Sequence, residues 1–157
     1  MNYFSYAHSA LSYGIIFWGY SYAHLTNSIF KIKKKIIRII TNSGSRDTCR
    51  HLFKQLRILS LPPQYIFSLL VFVIKNRDFL QSNSEIQNLN TRFNHNLHLP
   101  STNLTLVQKR VLYSGSKIYN HLPSNIKALS NDAKLFKHSL KTYLIEHSFY
   151  SLDEFYR

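Results

Sequence analysis

The sequence is poor in cysteine, glycine and proline. Cys49 is the single cysteine among 157 residues, so no disulfide forms within the chain and no cysteine-rich zinc site can be built. A chain of this kind is expected in a reducing compartment. With 4 glycines and 4 prolines, it also has few of the turn residues that an all-β protein needs between its strands. The composition therefore favours a helical fold.

Long hydrophobic runs are also absent. The longest uninterrupted apolar stretch, residues 69–74, is far shorter than the roughly 20 residues that span a bilayer. No lysine or arginine precedes Lys31, so the N-terminus lacks the basic region of a signal peptide. We therefore expect a soluble, intracellular protein without a membrane partner, and leave nucleus or cytoplasm open. The abrupt apolar start suggests that Met1 is an internal methionine of a longer frame.

Acidic residues are the third scarce class. The chain has 7 of them against 20 lysines and arginines, which gives a formal net charge of +13. The excess is concentrated, because residues 31–57 hold nine basic residues and Asp47 alone, a formal charge of +8. A chain this basic is expected to bind polyanions.

The sequence contains no pattern of residues that is typical of a catalytic site. Polymerase chemistry needs carboxylates that hold two metal ions, and no aromatic-X-Asp-Asp turn is present. Asp153 and Glu154 form the one adjacent acidic pair, in what we expect to be a frayed C-terminal tail. His95 with His98, and His138 with His147, lack the partners of a metal site, and Cys49 is expected to be structural. The sequence predicts no catalytic residue, no metal site and no cofactor.

Periodicity predicts a mainly α protein. Apolar residues recur at helical spacing in six main segments and one short turn: residues 2–17, 26–41, 46–57, 61 to about 75, 106–121 (or from about 115), 124–126 and 131–147. Ser45, Ser124 and Ser130 are the expected N-caps of three of these helices. Residues 81–105, rich in Asn and Ser, are expected to form a linker or a short extended segment. The predicted domains are a helical bundle at 1–80 and a second helical unit at 106–157.

The helix at 26–41 provides the candidate site. Its isoleucines lie on one half of the wheel, while Lys31, Lys34, Lys35 and Arg38 lie on the other. Lys33 falls in the apolar half, where we expect its ammonium to snorkel to solvent. A basic stripe of this kind can follow a phosphate backbone without reading bases. The alternatives are an ordinary solvated face and an anionic membrane surface.

Aromatic residues are concentrated in the first predicted helix. Tyr3, Tyr6, Tyr13, Phe17 and Trp18 could stack on nucleic-acid bases. Their helical spacing favours a place in the core instead, or packing against another domain.

Several phrases of the sequence, taken in order, resemble the reverse transcriptases of jockey-like non-LTR retrotransposons. These phrases are LSYGIIFWG, the basic segment ending in IIRII, CRHLFKQLRILSLPPQYI, GSKIYNHLPSNIK and FKHSLKTYLIEHSFYSLDEF. The likeness covers nearly the whole chain, from about Tyr3 to Tyr156, and corresponds to the thumb and the region after it. At Tyr119 the related pattern often carries Trp.

The resemblance implies a helical thumb that grips a template–primer duplex. Nucleic-acid contacts are expected at six residues: Lys31, Lys34, Lys35, Arg38, Lys54 and Arg57. The family's polymerase activity is not expected of this chain, which lacks the fingers and the catalytic palm. The expected partners are RNA or DNA backbones, bound without sequence specificity, and the missing polymerase domains. The alternative is a structural or interaction fragment with no nucleic-acid role.

Overall fold

The computed structural model describes residues 4–19, 23–87, 96–99 and 111–157. These residues are mainly helical, which confirms the predicted fold class. The helices are α1 (Ser9–Ser12), α2 (Ile15–Trp18), α3 (Ala23–Thr41), α4 (Arg50–Gln55), α5 (Leu61–Lys75), α6 (Asn83–Gln87), α7 (Val111–His121), α8 (Ser124–Lys127), α9 (Ala133–His147) and α10 (Leu152–Tyr156). A π-helical turn, Phe4–His8, precedes α1. Among the described residues, no helix combines the length and the apolar character that crossing a bilayer requires.

The long helices α3 and α5 form where the apolar period predicts them. Helix α3 begins three residues earlier than predicted and ends at Thr41 as predicted. Helix α5 begins at Leu61, with Pro62 and Pro63 in its first turn, where their missing N–H groups leave no helical hydrogen bond unmade. Its apolar surface on all sides matches burial in a core.

The predicted N-terminal helix is broken. Instead of one helix over residues 2–17, the described part contains the π-turn, α1 and α2. Gly14 separates α1 from α2 with a positive φ of 61°, a conformation that residues with a Cβ adopt at a cost. Residues 2 and 3 lie outside the described residues.

The third predicted helix is shorter than expected. Helix α4 covers Arg50–Gln55 rather than residues 46–57, so Ser45 is not its N-cap. The preceding loop is closed by Asp47, whose Oδ2 accepts a 2.7 Å hydrogen bond from the Gly44 N–H. Beyond the helix, Arg57 has a φ of 53°, which prevents its continuation.

The chain divides into two compact units. The first comprises Met1–Phe67 and Lys141–Arg157, and the second comprises Ser68–Leu140. The sequence-based boundaries at residues 80 and 106 stay a prediction.

The first unit has a core of aliphatic and aromatic side chains. Ser60 ties its two chain segments together, because its Oγ donates a 2.7 Å hydrogen bond to the Phe149 carbonyl oxygen. The buried residues of this core include Ile15, Phe30, Ile37, Leu52, Phe53, Tyr65, Ile66, Leu144, Phe149 and Phe155.

The second unit packs α5 closely against α7. A Cβ placed on Gly115 would overlap Cγ2 of Val73, so glycine permits the close approach of the two helices. Arg77 then reaches across the unit, where its Nη1 donates to Ser130 Oγ at 2.7 Å.

The predicted linker at residues 81–105 lies largely outside the described residues. Its described part contains an isolated antiparallel bridge between Ser82 and Leu97. The Asn120 side chain holds Leu97 from the other side, accepting from its N–H and donating to its carbonyl oxygen, both at 2.8 Å.

The two predicted serine caps of the C-terminal half are wrong. Helix α9 begins at Ala133, and the Asp132 carboxylate accepts from the N–H groups of Lys134 and Leu135 at 2.9 and 3.1 Å. Asp132 is therefore the cap, while Ser130 bonds to Arg77. Ser124 is the first residue of α8, which follows Pro123 without a side-chain cap.

Candidate nucleic-acid interface

Helices α3 and α4 form an antiparallel hairpin in the first unit. Near the turn, the Arg38 Nε and Nη2 donate to the Asp47 carbonyl oxygen at 3.1 and 2.8 Å. Farther along, the rings of Phe30 and Phe53 are 6.4 Å apart. Since a later residue of α4 meets an earlier residue of α3, α4 runs back along α3. Lys54 therefore lies beside the N-terminal half of α3, close to the level of Phe30.

Four of the six predicted contact residues are exposed cations. Lys31 and Lys35 are one helical turn apart on α3, while Lys54 lies in the last turn of α4 and Arg57 lies two residues beyond that helix. None of the four has a hydrogen-bond or ion-pair partner in the part of the chain that the structure describes. We call these four residues the open cations. Their charges face water, where an anionic ligand can reach them.

The other two predicted residues, Lys34 and Arg38, are half-buried and make internal contacts. The Lys34 Nζ lies 4.6 Å from the Phe30 ring centroid and 5.6 Å from that of Tyr150. Its ammonium is therefore held by cation–π attraction. Arg38 holds the turn through Asp47, as described above. Of the four predicted basic residues on α3, Lys31 and Lys35 are therefore open to solvent, while Lys34 and Arg38 stabilise the fold.

A further cation, Arg50, is neutralised within the same unit. Its Nη2 lies 3.1 Å from both carboxylate oxygens of Glu154, and its Cζ is 4.5 Å from the Tyr150 ring centroid. The pKa of Glu154 is lowered, first by the hydrogen bond from the Tyr150 N–H and then by Arg50. Burial raises the pKa of the Tyr150 hydroxyl. This group fixes the C-terminal segment against α4 rather than offering charge to a ligand.

The prediction for Lys33 is wrong. Its side chain does not snorkel but is completely buried, and its Nζ donates to Oε1 of Gln64. Gln64 donates from Nε2 to Ser12 Oγ at 2.5 Å. Burial lowers the pKa of Lys33 to about 7. The sequence analysis did not predict this polar network. The position of Lys33 on the apolar half of α3 was the one feature that could have indicated a buried polar contact.

The predicted burial of the N-terminal aromatic residues is also wrong for three of them. Tyr6, Tyr13 and Phe17 expose 81%, 86% and 75% of their surface. Trp18 is half-buried, and its Nε1 donates to the Tyr13 carbonyl oxygen at 2.7 Å. Tyr3 lies outside the described residues.

The C-terminal acidic pair is ordered rather than frayed. Asp153 and Glu154 lie in α10, whose N-terminus is capped by Ser151: the Ser151 Oγ accepts from the Glu154 N–H at 3.1 Å. Phe155 of the same helix is buried.

Cys49 and the histidines do not form a metal cluster in the described ranges. Cys49 is buried, with its Sγ 3.8 Å from the Lys34 carbonyl oxygen. No group of three His, Cys, Asp or Glu side chains in the described ranges is arranged to hold a metal ion. His95 lies outside those ranges.

Comparisons with known proteins found no relative of this chain. No protein-family model, no curated protein and no solved structure matches it.

Proposed function

We propose that the chain binds the sugar–phosphate backbone of RNA or DNA without reading base sequence. The observation that carries this proposal is the set of open cations, Lys31, Lys35, Lys54 and Arg57, on the α3–α4 hairpin. Flexible ammonium and guanidinium groups on an exposed surface suit phosphates, which are anionic groups common to every sequence.

The neighbouring charges strengthen this surface. Arg38 keeps its positive charge while it bonds to a neutral carbonyl oxygen, so it adds to the local positive potential. The one acid of the hairpin, Asp47, is turned toward the Gly44 N–H. The attraction to a polyanion is therefore opposed by little negative charge of the hairpin itself.

The origin that we propose is the thumb and post-thumb part of a jockey-like reverse transcriptase. It is supported by the ordered phrases of the sequence and by the helical character of the fold. A thumb holds a template–primer duplex while other domains supply the chemistry. We accordingly expect no primer extension by this chain with magnesium and all four nucleotides, and a template-dependent product would overturn the assignment.

A salt titration tests the binding itself. With a fluorescent duplex, log Kobs should fall linearly with log salt concentration, with a slope of about −0.9 for each phosphate contact. The Lys31→Glu/Lys35→Glu variant removes two contacts, so its slope should be smaller in magnitude by about 2. Lys137→Glu/Lys141→Glu is the matched control, because it changes the net charge equally on an i, i+4 pair of α9. A slope near zero for the unaltered protein, or equal losses in both variants, would contradict a phosphate-binding role of the hairpin.

The second candidate function is a structural or interaction role without nucleic acid. The exposed rings of Tyr6, Tyr13 and Phe17 favour it, because large apolar groups on a surface mark sites of protein contact. Under this alternative, charge reversal on α3 leaves nucleic-acid binding unchanged.

A further inference from the structure

Helix α3 carries a second apolar surface besides the one that enters the core. Leu25, Ile29, Ile32, Ile36 and Ile39 are separated by four, three, four and three positions. We call these five residues the heptad stripe. Leu25, Ile32 and Ile39 expose 52%, 56% and 60% of their surface, while Ile29 and Ile36 are half-buried. More than half of three large side chains is therefore open to solvent along one line of the helix.

The stripe is distinct from the side of α3 that packs inward. Phe30, Lys33 and Ile37 provide the buried side. A 4-3-4-3 alternation has a mean period of 3.5 residues, which is the pattern that keeps an apolar seam facing another helix. The core does not require the stripe, because the three side chains that are most exposed contribute least to it.

The shape of the stripe favours a helix as its occupant. The stripe is a narrow line of side chains, and the buried residues of α3 occupy another side of the helix. An amphipathic helix that binds a bilayer inserts a broad apolar face instead. A seam between two helices needs the narrow line of a and d positions alone.

The charges beside the stripe select the partner. Lys35 directly precedes Ile36 and flanks the stripe, Lys31 lies one helical turn before Lys35 on the same exposed side of α3, and the helix contains no acidic residue. A second copy of α3 would bring these lysines near identical lysines, which opposes self-association. A helix with Glu or Asp beside its apolar seam would instead complement them.

We propose that the heptad stripe of α3 docks an acidic amphipathic helix from a partner protein. This inference goes beyond nucleic-acid binding and does not depend on it. The apolar side chains of the heptad stripe provide the contact area. The positive charges of Lys31 and Lys35 favour a partner helix that carries acidic residues.

The experiment uses the full chain and two fluorescent peptides of about three heptads. Both peptides carry Ile at a and Leu at d; one has Glu at e and g, and the other has Lys there. Fluorescence anisotropy should show binding of the Glu peptide and at least about tenfold weaker binding of the Lys peptide, a difference of about 1.4 kcal/mol.

Serine substitutions at exposed apolar positions test whether the peptide binds the heptad stripe rather than another apolar part of the surface. Ile32→Ser/Ile39→Ser should weaken binding of the Glu peptide by about tenfold or more, because the seam loses its two most exposed side chains. Leu112→Ser/Leu135→Ser is the matched control, with exposures of 40% and 54% on α7 and α9, and should bind like the unaltered protein. Binding of duplex RNA or DNA should be the same for all three proteins, so failure of this inference is distinguishable from failure of the proposed function.

Four results would overturn the inference. They are no binding of the Glu peptide, equal binding of both peptides, equal losses in the two serine variants, and self-association that Ile32→Ser/Ile39→Ser abolishes. Phosphatidylserine vesicles provide a further arm: vesicle binding that depends on Ile32 and Ile39, without peptide binding, would assign the stripe to a membrane surface instead.

Discussion

Lys33 donates a hydrogen bond from its Nζ to Oε1 of Gln64, inside the core of the first unit. The two residues are 31 positions apart and join α3 to α5. Gln64 extends the link to α1 through Ser12. The network satisfies the amine, but burial still opposes its protonation, as the pKa of about 7 shows. One buried amine thus makes the stability of the α3–α5 contact dependent on pH.

Replacement of Lys33 by Met should raise stability at neutral pH and flatten its pH dependence. In the unfolded chain Lys33 has its ordinary pKa of 10.5, whereas the folded value is about 7. Between these values the unfolded state binds more protons, so the free energy of unfolding rises with pH, by up to about 1.4 kcal/mol per unit. Below pH 7 the destabilisation is fully present, and above 10.5 it is absent. Urea denaturation at a series of pH values checks this.

The control for that series is Lys134→Met, at an exposed position of α9. Its profile should keep the rise of the unaltered protein. A rise of the same size in the Lys33→Met variant would show that Lys33 is not the group responsible.

Replacement of Gln64 by Leu should destabilise the unaltered protein and do little in the Lys33→Met background. Without Oε1 the buried amine has lost its acceptor, which costs about 1–3 kcal/mol. With Met at position 33 there is no amine to satisfy, although the bond to Ser12 is still lost. A double-mutant cycle by chemical denaturation measures this coupling. Additive effects of the two substitutions would contradict a direct pairing.

The helices of the core could be predicted because their signal is local. Helix α3 repeats apolar residues at helical spacing, and α5 is an apolar run with Pro62 and Pro63 in its first turn, so both signals lie within the segment itself. The sequence pattern of α9 likewise places Phe136, Leu140, Tyr143 and Leu144 on one face, and in the structure Tyr143 is half-buried while the other three are buried.

The errors arise where distant residues decide the structure. Lys33 is buried because Gln64 accepts its hydrogen bond, and no pattern within α3 indicates that partner. The C-terminal helix α10 is held by buried Phe155 and by the Arg50–Glu154 pair, whose members are 104 positions apart. Serines 45, 124 and 130 all have the residue type of an N-cap, yet helix ends depend on which nearby group reaches the free N–H groups first. For the candidate site, the wheel separated Lys31 and Lys35 from the apolar side, but the rings that hold Lys34 could not be foreseen.

Replacement of Gly115 by Ala should lower stability by about 1–3 kcal/mol. Alanine is the better helix former by about 1 kcal/mol, so propensity alone predicts the opposite sign. The Cβ, however, would overlap the Cγ2 of Val73, and β-branched Val73 has little freedom to move away. Thermal unfolding checks the sign. The Gly115→Ala/Val73→Ala pair should recover part of the loss, and a stabilised single variant would show that α5 and α7 separate easily.

Replacement of Asp132 by Ala should cost about 1 kcal/mol, because two N–H groups at the start of α9 lose their acceptor. Asp132→Asn is the matched variant, since its amide oxygen can still accept these bonds and only the attraction of the negative charge to the helix N-terminus is lost. Ser130→Ala tests a different contact, the bond from Arg77, and should therefore add to Asp132→Ala rather than replace it. Urea denaturation of the unaltered protein, the three single variants and the Ser130→Ala/Asp132→Ala double variant gives the free energies of unfolding that distinguish the two roles. If Ser130→Ala and Asp132→Ala were not additive, the two residues would act in one cap, as the sequence alone had indicated for Ser130.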